Sequence, residues 1–136
     1  MTADEARDEM FTVFNNAWNL TPAAERVVFG DKPGAPFTDA WARVTLRHAT
    51  GRQSSLSGAM GAKRWTQTGT LWVQVFAPVG DGLVTAYELA QAVVNAFRDA
   101  KNGTVWYRNS RLQEVGSSGA FEHINVLTDF TYDTER

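Results

Sequence analysis

The chain has 136 residues, 43% of them apolar and 21% charged, with a formal net charge of −2 and no cysteine. A core of this size buries roughly 68% of the unfolded surface without staples, and the missing thiols exclude disulfides, thiolate metal sites and a thiol nucleophile. The charge balance points to neither nucleic acid nor an anionic membrane, and no apolar run approaches the ~18 residues of a bilayer span.

The chain opens on MTADEARDEM, an acidic, helical stretch that does not read as a signal peptide. Thr2 and Glu5 form a T-x-x-E capping pattern that satisfies free N–H groups at a helix start. Ala6, Met10, Val13, Phe14 and Ala17 follow at helical spacing as one apolar stripe. Asp4, Glu5, Asp8 and Glu9 fill the first two turns, where the helix dipole favours negative charge. Thr21-Pro22 is the expected end of this helix. Arg26 to Phe29 reads as a short strand, and Asp31 to Pro36 as a loop rich in turn residues.

Trp41 to His48 alternates: Ala42, Val44 and Leu46 face one way, and Trp41, Arg43, Thr45 and Arg47 the other. Gly51 to Gly61 has no period and reads as a long connecting tip. A second long strand follows, in which Leu71, Val73 and Val75 alternate with Trp72, Gln74 and Phe76 until Pro78 stops it. It is apolar on both faces, so something must cover the second one.

Gly80-Asp81-Gly82 is a turn into the next helix. Thr85 to Glu88 suggests its capping box, and Ala86, Leu89, Ala90, Val93 and Phe97 its buried face. Asn102-Gly103 supplies a left-handed stop. Two strands close the chain, near Val105 to Val115 and Phe121 to Tyr132, joined by a hairpin at Gly116 to Gly119. Ile124, Val126, Phe130 and Tyr132 share one face of the last strand. Hairpin neighbours pair antiparallel, and two amphipathic helices cover one face of a sheet. The expectation is an α+β fold: a two-layer sandwich with a mostly antiparallel sheet of about five strands, two helices on one face, and one domain over residues 1–136.

No catalytic constellation stands out. The Gly80-x-Gly82 turn has Thr85 in the third glycine position, and Asp81 would repel a pyrophosphate, so a turn with a helix cap is the better reading. His48 and His123 lie on different strands with no patterned ligand nearby. Ser110 and Ser118 lie in no nucleophile elbow. No enzyme, cofactor or metal site is expected.

Charge carries more information. Ala40 to Gly80 holds no Asp or Glu, but it does hold Arg43, Arg47, Arg52, Lys63, Arg64 and His48. Both ends of the chain are acidic. Two readings stay open. Basic residues beside Trp41 and Trp65 suit nucleic acid, or a basic region meets an acidic region on the next subunit, a heterologous contact that can close into a ring. There are five tryptophans in all. Trp41 and Trp72 fall opposite the aliphatic residues of their strands, and tryptophan and arginine together are enriched at protein interfaces. The candidate interface residues are therefore Trp41, Arg43, Arg47, Arg52, Lys63, Arg64, Trp65, Trp72 and Phe76.

The chain resembles the tail terminator, or tail completion, proteins of long-tailed bacteriophages. The resemblance rests on the N-terminal amphipathic helix, Trp41-x-Arg43-Val44, the basic loop region, Leu71 to Pro78, Gly80-Asp81-Gly82, the helix Ala86 to Phe97 and the ending Phe130-Thr131-Tyr132-Asp133. It covers nearly the whole chain. It implies a virion structural protein, assembled in the host cytoplasm, that forms a homo-oligomeric ring, a hexamer, on the head-proximal end of the tail tube. Such a ring ends tube polymerisation and meets the tail tube protein on one side and a head-completion or neck protein on the other. DNA passes through its lumen without sequence-specific binding, and no membrane is involved. The alternatives are a nucleic-acid-binding module using residues 40–80, or another head–tail connector or neck protein.

Overall fold

The computed structural model describes residues 1–30, 37–55, 63–80, 82–100 and 103–135. Helix α1 spans Ala3–Trp18, and Thr2 caps it as the sequence predicts: its side-chain oxygen accepts a hydrogen bond from the Glu5 N–H at 3.2 Å. The helix stops earlier than the Thr21-Pro22 signal, with Asn19 as C-cap. Thr21 Oγ1 donates back to the Trp18 carbonyl at 2.6 Å, so the threonine seals an orphan carbonyl outside the helix rather than extending it.

The strands are β1 (Val27–Phe29), β2 (Trp41–Gln53), β3 (Arg64–Pro78), β4 (Trp106–Ser118) and β5 (Phe121–Glu135); helix α2 (Gly82–Asp99) lies between β3 and β4. They form one sheet in the order β1-β2-β3-β5-β4. β1 runs parallel to β2, and the other three pairings are antiparallel. This is the expected α+β sandwich with five strands and two helices.

The boundaries differ from expectation in three places. β2 continues through Gly51, Arg52 and Gln53, which pair with Gln67, Thr66 and Trp65, so the first part of the expected loop is ladder. Ser54 and Ser55 follow outside the strand, and residues 56–61 of that loop lie outside the described residues, as do the Asp31–Pro36 loop, Asp81 of the Gly80-x-Gly82 turn and Asn102 of the helix stop. α2 begins at Gly82, so Thr85 and Glu88 lie inside its first turns and are not its cap; residues three apart on any helix share a face, which leaves the T-x-x-E pattern ambiguous. β4 runs on to Ser118, and the hairpin turns at Gly119 and Ala120. Gly116, at φ +98°, sits instead at a register shift in that ladder, a backbone geometry that glycine adopts without strain.

The core lies between the helices and one sheet face. Val44, Leu71, Val73, Val75, Ile124 and Val126 from the sheet meet Met10 and Phe14 of α1 and Ala90, Val93 and Phe97 of α2, all essentially without solvent exposure. Trp18, outside the expected stripe of α1, is fully buried and stacks on Phe14 at 5.3 Å. Gly69 is needed where β2, β3 and β5 meet. A Cβ there would lie 2.2 Å from the Arg47 carbonyl oxygen and 2.5 Å from the Phe130 ring.

Candidate functional site

Among the described residues no helix lies over the other face of the sheet. Strand alternation sets its membership. β2 contributes Trp41, Arg43, Thr45 and Arg47, which pair across to Phe76, Gln74, Trp72 and Thr70 of β3. Those in turn pair with His123, Asn125, Leu127 and Asp129 of β5. On β4, Arg111 lies opposite Leu127 and Gln113 opposite Asn125. A register shift between His48 and Thr50 resets the alternation, so Arg52, opposite Thr66, returns to the same outer face as Arg47. Five residues apart, the two would otherwise point to opposite sides.

One end of this face is an aromatic cluster. Trp41 stacks on Phe76 at 4.4 Å and Phe76 stacks on His123 at 4.4 Å. Phe121 meets Trp41 edge-on at 6.5 Å, and Phe37 lies 5.8 Å from Trp41. Arg43 lies 5.8 Å over the Trp41 ring and donates to the Gly30 carbonyl at 3.0 Å, so it also ties β1 to β2.

Beside the cluster is an open groove of about 290 Å³ lined by Arg43, Thr45, Arg47, Trp72, Gln74 and Asn125. Asn125 is 7% exposed; its Nδ2 donates to Gln113 Oε1 at 3.3 Å and its Oδ1 has no partner. His123 Nε2 is likewise buried and unpartnered. Burial lowers the His123 pKa below its ordinary value, opposed less strongly by the nearby Asn125 amide. Buried polar atoms without partners are rare in finished structures and costly when left so.

Further along, two acids of β5 on this face already have partners. Asp129 accepts from Thr70 at 3.2 Å and Asn109 at 3.1 Å and lies 3.5 Å from Arg111. Partial burial pushes its pKa up, but these hydrogen bonds and the Arg111 charge outweigh that and hold it below the usual carboxylate value. Asp133 accepts from Thr66 at 2.9 Å and pairs with Arg64 at 4.0 Å.

Of the sequence candidates, Trp41, Arg43, Arg47, Arg52, Arg64, Trp72 and Phe76 therefore share the outer face. Lys63 is half-buried just before β3. Trp65 separates from the set: at an odd position of β3, opposite Gln53 and Thr134, it belongs to the Leu71 side. Sequence reasoning missed Phe121, His123, Asn125 and Leu127. Their signal was present, since they are the alternate positions to Ile124 and Val126, but Leu127 is apolar and blurs the alternation. The two histidines fall on opposite faces: His48 hydrogen-bonds the Tyr132 hydroxyl on the helix side. Among the described residues no three His, Cys, Asp or Glu converge as a metal site, and no helix is long and apolar enough to cross a membrane.

Comparison with known proteins gives the family. The family model described as phage tail terminator protein matches residues 8–120. The chain belongs to the phage tail terminator family. It is a structural protein of the phage tail, and its family membership implies contacts with tail and head components. One solved structure similar to this chain has 17% sequence identity and a TM-score of 0.69, covering 96% of this chain and 95% of that one; at this identity it supports the fold. A search of curated proteins finds no match.

Proposed function

We propose that this chain acts as a single tail-terminator domain that forms a hexameric ring on the head-proximal end of the tail tube. In this reading the ring ends tube polymerisation, offers its other side to a head-completion or neck protein, and lets DNA pass through its lumen without sequence-specific binding. It assembles in the host cytoplasm and remains in the virion. The family match over residues 8–120 carries the proposal. The outer sheet face, where Trp41, Trp72 and Phe76 stay half-exposed beside arginines, supports it, because a ring subunit needs a contact surface.

The test is tail assembly with and without this chain, followed by electron microscopy. Tails of uniform length with a ring at the head-proximal end are expected with it, and overlong or unstable tubes without it. Normal tubes that fail only to join heads would make it a neck protein instead. The second reading, nucleic-acid binding through residues 40–80, draws on the absence of carboxylates from β2 and β3. Affinity for DNA that falls steeply with salt would favour it.

A further inference from the structure

Charge is uneven between β2–β3 and the helices, while the rest of the sheet is mixed, since β4 and β5 carry Glu114, Glu122, Asp129, Asp133 and Glu135 beside Arg108 and Arg111. β2 and β3 carry Arg43, Arg47, Arg52 and Arg64 and no carboxylate. The helix layer is the reverse: α1 and α2 together carry six carboxylates against Arg7 and Arg98. Among the described residues Arg47 and Arg52 have no ion pair, whereas Arg64 is matched within the chain by Asp133. On α1 the Asp4 and Asp8 side chains are 82% and 73% exposed, and Arg7 alone faces both.

We infer that the outer sheet face of one copy receives the acidic outer surface of α1 on the next copy, with Arg47 and Arg52 facing Glu5 and Asp8. The inference rests on the ring reading above and assigns the surfaces that make the ring. The two surfaces lie on opposite sides of a two-layer sandwich. A contact between them is heterologous: it cannot close as a two-fold dimer, and it propagates head to tail, giving a ring where the rotation between copies closes and an open filament where it does not. Four strands about 4.8 Å apart and about ten residues long cover roughly 600 Å², close to the ~800 Å² that each partner buries in a stable interface. The contact also covers the groove lined by Arg43, Arg47, Trp72 and Asn125.

The experiment compares wild type, Arg47→Glu/Arg52→Glu, Glu5→Lys/Asp8→Lys and the combination of all four, by native mass spectrometry and on tail tubes, with circular dichroism to establish that each is folded. Each double variant is expected to weaken assembly by about a hundredfold, because like charges then meet across the contact. The fourfold variant is expected to recover most of the loss. Recovery is the decisive result, since it requires the two surfaces to touch. A ring that forms normally in both folded double variants overturns the inference and leaves the ring reading standing. Loss in the arginine variant without recovery in the fourfold variant overturns it too. If that variant loses only wild-type DNA affinity while the ring stays intact, the face contacts DNA and the inference is wrong. A wild-type chain that never assembles, alone or on tubes, overturns the ring reading and the inference together.

Discussion

Leu71, Val73 and Val75 are buried almost completely against the helices, while Trp72, Gln74 and Phe76, one residue along the same strand, remain half-exposed. The inner set is aliphatic and interchangeable in chemistry. The outer set combines rings, guanidinium groups and amides, and its neighbours His123 and Asn125 hold polar atoms with no partner. Buried polar atoms without partners occur on the helix side as well, at Trp18 Nε1 and the Tyr107 hydroxyl, so the two faces are told apart by exposure and chemistry rather than by hydrogen-bond satisfaction. In the proposed ring the inner face serves folding and the outer face assembly.

If that division is right, the largest stability losses lie on the inner side. Phe97, 2% exposed and edge-on to Tyr107 at 5.0 Å, is the strongest case. Phe97→Ala should cost about 3–5 kcal/mol, read as a shift in the denaturant midpoint, through lost burial and a cavity. A shift worth less than about 1 kcal/mol would mean that the helix layer is not what stabilises the sheet.

Gly69→Ala comes next. The new methyl would meet the Arg47 carbonyl and the Phe130 ring, so backbone as well as side chain must move. Overpacking of this kind costs about 1–3 kcal/mol. An unchanged thermal midpoint would show that β2 can shift freely at the His48–Thr50 irregularity.

His123 gives a smaller, pH-dependent effect. Its folded pKa lies below the unfolded 6.5, so the unfolded chain binds more protons in the window between the two. Its contribution to stability is therefore present above pH 6.5 and is lost as pH falls through the folded value. A His123→Gln variant should show a flatter pH–stability curve over that window; an identical slope would contradict the desolvated environment assigned to this ring.

The smallest stability effect belongs to Arg47, which is exposed. Arg47→Glu should change monomer stability by less than about 0.5 kcal/mol, measured by thermal melt, while association falls. Arg43 is a poorer probe of the same face, because its bond to the Gly30 carbonyl also holds β1 in place. A large destabilisation from Arg47→Glu would make the outer face part of the fold and collapse the distinction.

Much of this architecture was legible because alternation and helical spacing repeat over many residues. The burial of Val93 and Phe97, the two faces of β2 and β3, and the pairing of Arg43, Arg47, Trp41, Trp72 and Phe76 on one side all follow from period alone. The events that break a period were not legible. The His48–Thr50 shift, which brings Arg52 beside Arg47, leaves no local composition signal. Gly51 to Gln53 reads as a loop because glycine and polar residues disfavour strands intrinsically, yet pairing with β3 overrides that preference. Thr85 and Glu88 imitate a cap within the first turns of α2. The groove required β5 as well, and Asn125 became visible as a site residue only once the register placed it opposite Gln74.

The most direct test of the account is electron cryo-microscopy of assembled tails at a resolution that traces this chain. A ring of copies at the head-proximal end of the tube is expected, with the Trp72 groove and Arg47 of each copy covered by its neighbour. A ring whose outer sheet faces stand open to solvent, or tails that lack this chain altogether, would contradict it.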